Sequence, residues 1–213
     1  MRLNLGSGPE AVPGWINIDR SPNVLLDRLP LAKTALLRLG VLAESHRAGW
    51  DRDIVRANIM DLPYENGAAD AVYSSHTLEH LYLDDAQRVI NEAARVLRPG
   101  GVLRLALPDG ELWARELLAG GDADAGRAFN TRLLAHPPAR PRLVTRLRDM
   151  AGGHIHRWQP TAALVTDMVR AAGLVSVTTC AFREGSLPDL ENVETREESF
   201  FLEAVKPDPN PGR

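Results

Sequence analysis

The sequence predicts one α/β domain built on a parallel sheet with helices on both faces. Short apolar runs alternate along the chain with stretches of helical periodicity. The run at residues 102–107 is almost continuously apolar, which is typical of a central strand covered on both sides. With 213 residues, 44% of them hydrophobic, the chain is long and apolar enough to form one sizeable core.

The individual elements follow from runs bounded by glycine, proline and polar residues. We expect strands at residues 3–5, 15–19, 53–59, 69–74, 102–107, 174–182 and 199–205. Helices are predicted at 83–97, where apolar residues recur at helical spacing, and at 160–173, between a proline and a glycine. Residues 109–159 break this rhythm and are expected to form an inserted helical cap or lid. A single domain then covers residues 1–206, followed by a flexible tail at 207–213.

Composition excludes several classes of protein. The net charge of −3 argues against a general nucleic-acid binder, which would carry a basic excess. No run of 18 apolar residues is present, so no membrane span is expected. Gly6 comes too early for the apolar region of a signal peptide. The single cysteine, Cys180, excludes an internal disulfide, and we expect a cytoplasmic protein.

The first strand runs into a glycine turn, Gly6-Ser7-Gly8, where a ligand can approach the backbone closely. The pattern superficially fits a dinucleotide fingerprint. However, only six residues separate Gly8 from Trp15, which leaves no room for the helix that binds a pyrophosphate. Asp19 also follows Gly8 by eleven residues, whereas the dinucleotide acid comes after about 20. A ligand without a pyrophosphate, such as S-adenosylmethionine (SAM), fits this turn better.

Two aspartates follow predicted strands at positions suited to a nucleoside. Asp19 ends the second strand, where its carboxylate can accept both ribose hydroxyls. Asp61 follows the third strand and can accept the adenine amine, with the Leu62 backbone near the ring. The alternative for both aspartates is a turn or cap before a proline.

Five motifs follow one another in a fairly specific order over roughly residues 1–107. They are NLGSG at 4–8, GWINID at 14–19, DLP at 61–63, ADAVYSSHTLEHL at 69–81 and ARVLRPGG at 94–101. In this ordered set the chain resembles the small class I SAM-dependent methyltransferases labelled type 11.

The resemblance implies a Rossmann-like sheet of seven strands, mostly parallel, with an antiparallel last strand. It also implies SAM as the cofactor. The cofactor-binding residues that it indicates, together with the turn, are Asn4, Gly6, Ser7, Gly8, Asp19, Asp61, Leu62, Ser75 and His76. It places Ser75 and His76 at the mouth of the pocket. One departure is Asn4, which stands where many relatives carry an acid.

Methyl transfer needs alignment more than an elaborate catalyst, although an oxygen acceptor benefits from a base such as histidine. His76 follows the fourth predicted strand, where ligands gather. His154 and His156 alternate in a strand-like segment and are the other candidates for a base. A metal ion needs three or four ligands, and the sequence indicates no third beside this pair, so no metal is predicted. His80, in the Leu-Glu-His-Leu run, is interpreted as structural.

The leading hypothesis is therefore a methyltransferase that acts at oxygen on a small molecule or a glycan precursor. The glycan reading comes from a weaker resemblance, at 153–158 and 182–207, to a subset linked to cell-surface polysaccharide biosynthesis. Two alternatives remain open: a SAM-binding module without chemistry, and an oxidoreductase that uses a nicotinamide dinucleotide.

Overall fold

A computed structural model describes residues 1–39, 42, 49–134 and 155–209. Within them, one sheet of seven strands forms in the order β3-β2-β1-β4-β5-β7-β6. The strands are β1 (Arg2–Leu5), β2 (Ile16–Asp19), β3 (Val55–Arg56), β4 (Ala69–Ser75), β5 (Leu97–Pro108), β6 (Val175–Cys180) and β7 (Ser199–Val205). Neighbours from β3 to β5 run parallel, and β7 is antiparallel to both β5 and β6. The mostly parallel sheet with an antiparallel last strand is confirmed.

The helices in the described part of the chain lie between these strands. They are α1 (Asn23–Leu26), α2 (Pro30–Arg38), α3 (Leu83–Val96), α4 (Gly110–Gly120), α5 (Ala123–Leu134), α6 (Ala162–Ala171) and α7 (Leu190–Val193). A 3₁₀ turn at Leu78–His80 precedes α3. In the described residues, no helix has the length and apolar character needed to cross a membrane.

The sequence missed some elements for identifiable reasons. Helix α2 begins with Pro30, but none of its residues is buried, and Leu31 is 88% exposed, so it has no apolar stripe to detect. Strand β3 is shorter than expected because only Val55 and Arg56 pair with β2. In the expected insert, α4 and α5 are helical, while residues 135–154 lie outside the described residues.

Alternation along the strands divides the core between the two faces of the sheet. On one face, Leu3, Val72 and Leu105 pack in a cluster that also contains the apolar stripes of α3 and α6. On the other face, Tyr73 and Phe201 belong to a smaller cluster. That cluster also contains Trp15, Ala71, Ala106, Leu187, Leu190 and Val193. The sheet is therefore covered on both sides, as the apolar run in β5 predicted.

A buried network of ion pairs stabilises the packing on the second face of the sheet. Arg104 on β5 is completely buried, and its Nε donates to Glu194 Oε1 at 2.6 Å. Its Nη1 donates to Glu203 Oε1 on β7 at 3.2 Å and to the Glu184 carbonyl at 2.7 Å. The network holds the segment before β7 against the sheet.

The sheet order reverses between β1 and β4, and this reversal positions the site. Strand β1 connects directly to β2 on one side, whereas the chain reaches β4 on the other. Because these strands are parallel, their carboxyl ends at Leu5, Asp19 and Ser75 lie at the same edge. In open α/β sheets, ligands bind in the crevice at such a switch point.

Candidate cofactor and acceptor site

The glycine turn after β1 is folded back onto β2. The amides of Gly6 and Ser7 both donate to the Ile18 carbonyl, at 2.8 and 3.1 Å. Gly6 has φ +72°, and a Cβ there would lie 2.1 Å from Thr77 Oγ1, so only glycine fits. Gly8 has φ +67°, but no atom of the described residues lies within 4 Å of its would-be Cβ. The backbone of Gly8 is thus open to a ligand.

Asp19 is held in a defined orientation at the end of β2. Its Oδ2 accepts from the Gly8 amide at 3.0 Å, and its Oδ1 accepts from the Ser21 amide at 2.7 Å. The residue is only partly buried. Because each carboxylate oxygen has two acceptor positions, both oxygens keep capacity for a further donor such as a ribose hydroxyl.

Asn4 is buried, and its amide is occupied inside the protein. Its Nδ2 donates to Asn17 Oδ1 at 3.0 Å. Asn17 in turn bonds to the Val12 amide and carbonyl and to the Trp15 carbonyl, each at 3.0 Å. The Asn4 side chain therefore supports the loop that replaces the missing helix between β1 and β2.

Hydrogen bonds hold the loop that contains Asp61 and Leu62 against α3. The Leu62 amide donates to Glu92 Oε1 at 2.6 Å. Arg95 pairs with Glu92 at 2.6 Å and donates to the carbonyls of Leu62 and Tyr64 at 3.1 and 2.9 Å. Hydrogen bonding to Arg95 holds the pKa of Glu92 below its usual value. The Leu62 amide that the sequence placed near adenine is thus already bonded to Glu92.

Asp61 itself is exposed and borders an open cavity of about 550 Å³. The other residues that line the cavity are Asn58, Met60, Arg88, Asn91, Glu92 and Arg95. Neither the glycine turn nor Asp19 contributes to this lining. The cavity therefore lies on the α3 side of the loop, apart from the edge where β1, β2 and β4 end.

His76 follows Ser75 at the end of β4 in the left-handed backbone region, with φ +46°. A non-glycine residue in this conformation is uncommon and is often found at functional sites. Its Nε2 lies 2.7 Å from Ser199 Oγ, and its Nδ1 lies 3.5 Å from Glu79 Oε1. Burial, with the nearby charge of Arg196, lowers the pKa of His76 to about 3. The imidazole is therefore neutral near pH 7.

Beside His76, the structure brings together a cluster that the sequence did not indicate, formed by Glu79, His80 and His156. Glu79 is completely buried, and burial raises its pKa to about 7. Its Oε1 lies 4.0 Å from Nε2 of both His80 and His156. Within the described part of the chain, neither carboxylate oxygen has a hydrogen-bond partner.

The segment that carries His156 is fastened to the 3₁₀ turn. The Arg157 amide donates to the Glu79 carbonyl at 2.8 Å, and its Nε donates to the His80 carbonyl at 3.0 Å. Trp158 Nε1 donates to the Leu78 carbonyl at 3.1 Å. These bonds bring His156 to His80 from a distant part of the sequence. His154, the other predicted histidine, lies outside the described residues.

Comparison with known proteins identifies the family. A family profile described as a methyltransferase domain matches residues 16–105, which include β2 to β4 and most of β5. A probable SAM-dependent methyltransferase of Mycobacterium tuberculosis is 24% identical over 71% of this chain and 43% of its own length. Residues 16–105 of the chain therefore belong to the methyltransferase-domain family.

Further relatives match this chain in part. The 27-O-demethylrifamycin SV methyltransferase of Amycolatopsis mediterranei is 46% identical over 33% of this chain and 24% of its own length. A SAM-dependent methyltransferase structure from Methanosarcina mazei has a TM-score of 0.53 and 17% identity, and covers 97% of this chain and 92% of that one. This last likeness shows the fold. The chain spans only 24% to 43% of the first curated relatives it matches.

Proposed function

We propose that this methyltransferase domain transfers the methyl group of SAM to an oxygen atom of a small molecule or a glycan precursor. The hydrogen bond between the Gly8 amide and Asp19 carries the proposal. This bond joins the glycine turn after β1 to Asp19, whose carboxylate can accept ribose hydroxyls. Both residues lie at the edge of the sheet where the strand order reverses between β1 and β4.

In this proposal the ends of β1 and β2 would hold SAM, which would supply the methyl group. Asp19 would accept hydrogen bonds from the ribose hydroxyls, and Gly6, Ser7 and Gly8 would hold the ribose and the amino acid end. The loop of Asp61 and Leu62, which the Glu92–Arg95 pair holds in place, would bind the adenine. Asn4 contributes indirectly, because its amide bonds Asn17 and so supports the loop before β2.

The acceptor enters past Ser75 and His76 at the end of β4. His76, His154 and His156 are the proposed bases, and His76 is the one best supported by position, because its left-handed backbone sets its ring at this edge. Helix α4 lies on the same side, since Trp113 stacks on His156 with ring centroids 6.5 Å apart and planes 6° apart. This contact supports residues 109–159 as a cap within a single domain of residues 1–206.

Transfer to oxygen is supported by the rifamycin relative, whose name gives an O-demethylated compound as its substrate. Its identity with this chain is confined to about a third of the sequence. The glycan alternative rests on the resemblance of the second half of the chain to polysaccharide-linked relatives.

Calorimetry with SAM, S-adenosylhomocysteine and NADH tests the cofactor. We expect saturable binding of the first two at one site per chain and no binding of NADH. Tight NADH binding without SAM binding would overturn the proposal in favour of an oxidoreductase.

Transfer is then tested with SAM labelled on its methyl group, over a panel of hydroxylated small molecules and nucleotide sugars. We expect label in at least one hydroxyl-bearing acceptor. SAM binding with no labelled product across the panel would favour a binding module without chemistry.

A further inference from the structure

We propose that Glu79, His80 and His156 bind one divalent transition-metal ion, and that zinc suits this donor set best. Two imidazoles and one carboxylate are the protein ligands of a well-known class of zinc sites that keep a fourth position open. The proposal concerns binding and does not depend on methyl transfer.

The three side chains are close enough to share one ion. One possible ligand atom from each residue lies within 4.8 Å of the other two. Zinc bonds of about 2.0–2.2 Å in tetrahedral geometry separate ligand atoms by about 3.4 Å. Glu79 Oε1 is 4.0 Å from each Nε2, so these two separations need to shorten by about 0.6 Å, and the separation between the two histidines by at most about 1.4 Å.

The environment of the Glu79 carboxylate is the strongest indication that this cluster binds a cation. Its side chain is 0% exposed, and both oxygens lack a hydrogen-bond partner among the described residues. A buried carboxylate without compensation is costly, and such groups in proteins are normally paired or bound to a metal. A divalent ion between Glu79 and the two histidines supplies that compensation.

The surroundings of the histidines fit ligation through Nε2. Nδ1 of His80 lies 3.3 Å from the Ile155 carbonyl, which favours the proton on Nδ1, the tautomer in which Nε2 is the ligating nitrogen. Nδ1 of His156 lies 3.4 Å from the Gln159 amide nitrogen. That nitrogen also donates to the Leu133 carbonyl. Ligation through Nε2 therefore requires the amide to turn away from Leu133, so that its Oε1, which is buried and has no partner in the described chain, accepts from Nδ1.

The sequence alone does not indicate this set, because it offers His154 and His156 as a pair without a third ligand. His156 is one of the three proposed ligands, and the other two, Glu79 and His80, come from the 3₁₀ turn after β4, which is remote in sequence. The bonds of Arg157 and Trp158 to the turn bring the two parts together without the help of an ion. The metal-free chain therefore keeps the cluster assembled, and binding can be tested on it directly.

The test uses the whole chain after treatment with EDTA. Cobalt(II) is titrated while the visible ligand-field absorption is followed, and zinc affinity is measured by competition with a chromophoric chelator. We expect one ion per chain, with cobalt bands typical of a site with nitrogen and oxygen ligands. Absence of these bands, together with no zinc retained in competition, would overturn the proposal.

Glu79→Gln is the decisive variant, because glutamine has nearly the same shape and removes the unpaired charge. Loss of an outer-shell partner costs about tenfold to a hundredfold in metal affinity, so loss of this ligand should cost at least about a hundredfold. Glu65→Gln, at an exposed position, is the matched control and should bind zinc like the wild type.

Thermal unfolding without metal separates loss of the site from loss of the fold. Glu79→Gln should unfold at or above the wild-type temperature, since it removes a buried uncompensated carboxylate. Wild-type zinc affinity in Glu79→Gln would contradict the assignment even if the wild type binds zinc. His80→Ala and His156→Ala should each weaken zinc binding as well, and zinc affinity unchanged in both would contradict it equally.

Discussion

The amide of Gly8 donates a hydrogen bond of 3.0 Å to Oδ2 of Asp19, which links the turn after β1 to the end of β2. The two residues belong to separate sequence motifs. Their contact means that the proposed ribose acid also orients the turn on which the cofactor would lie, so a change at either residue is expected to affect the other.

Asp19→Asn should weaken SAM binding about tenfold to a hundredfold, because a hydrogen bond to a charged group contributes about 1.5–3 kcal/mol. Calorimetry with SAM measures the change. Asp167→Asn, an exposed change on α6, is the control and should bind like the wild type. Unchanged affinity in Asp19→Asn would count against the ribose assignment.

Gly8→Ala tests whether the cofactor lies over the turn. Gly8 and Gly14 have φ of +67° and +80°, and no described atom lies within 4 Å of either would-be Cβ. Both alanine variants should therefore lose a similar amount of stability, about 1–2 kcal/mol. Only Gly8→Ala should also weaken SAM binding, because only its methyl group would meet the ligand. Equal SAM affinity in the two folded variants would contradict this position for the cofactor.

Glu92→Gln should reduce the pH dependence of stability. The pKa of Glu92 is lowered in the folded protein by Arg95, so its contribution is present above the unfolded value near 4.5 and is lost as the pH falls below it. Urea unfolding at pH 7 and pH 4 measures this. From pH 7 to pH 4, the free energy of unfolding should fall more in the wild type than in Glu92→Gln. Equal falls would show that the Glu92–Arg95 pair does not contribute to stability.

Arg104→Leu should destabilise the fold by about 3–5 kcal/mol, because it leaves the buried carboxylates of Glu194 and Glu203 without their cation. Arg98 lies on the same strand and pairs with Asp70, but both side chains are about half exposed. Arg98→Leu should therefore cost less than about 1 kcal/mol. The two free energies of unfolding, measured with urea, should differ clearly; similar values would argue against the buried network.

His76→Asn tests the proposed base once an acceptor is known. Asparagine tolerates the left-handed backbone at this position, so the fold should be kept. Loss of a general base lowers kcat by about 10² to 10⁴, and the low pKa of His76 favours the lower end of that range. We expect kcat to fall by about 10² at saturating SAM, a condition chosen because His76 is also a predicted cofactor contact, and an unaltered kcat would exclude His76 as the base.

Much of the fold could be predicted from local patterns. The strand at β5 was marked by an apolar run, and α3 by a stripe of apolar residues at helical spacing, because both elements bury a regular face in the core. Helix α2 was missed for the opposite reason, since it is exposed and its residues carry no such pattern.

The candidate site likewise contains some residues that the sequence indicates and one that it does not. The glycine turn and Asp19 were recognisable because turns and strand ends carry local signals in glycine and acidic residues. Glu79 was not, because a glutamate in a Leu-Glu-His-Leu run looks like an ordinary polar residue. The structure shows that Glu79 is completely buried and that neither of its carboxylate oxygens has a hydrogen-bond partner among the described residues.

By itself, the sequence determined the α/β class, and it predicts the glycine turn and the aspartates proposed for a nucleoside. These depend on periodicity and turn chemistry, which act over a few residues, whereas the mostly parallel order of seven strands was implied by the family resemblance. The tertiary structure alone decided that Asn4 bonds Asn17, that Glu92 holds the Leu62 amide, and that His156 meets Glu79 and His80. Such contacts join residues remote in sequence, and chain packing, rather than local propensity, sets which side chains become neighbours and which charges lose their water.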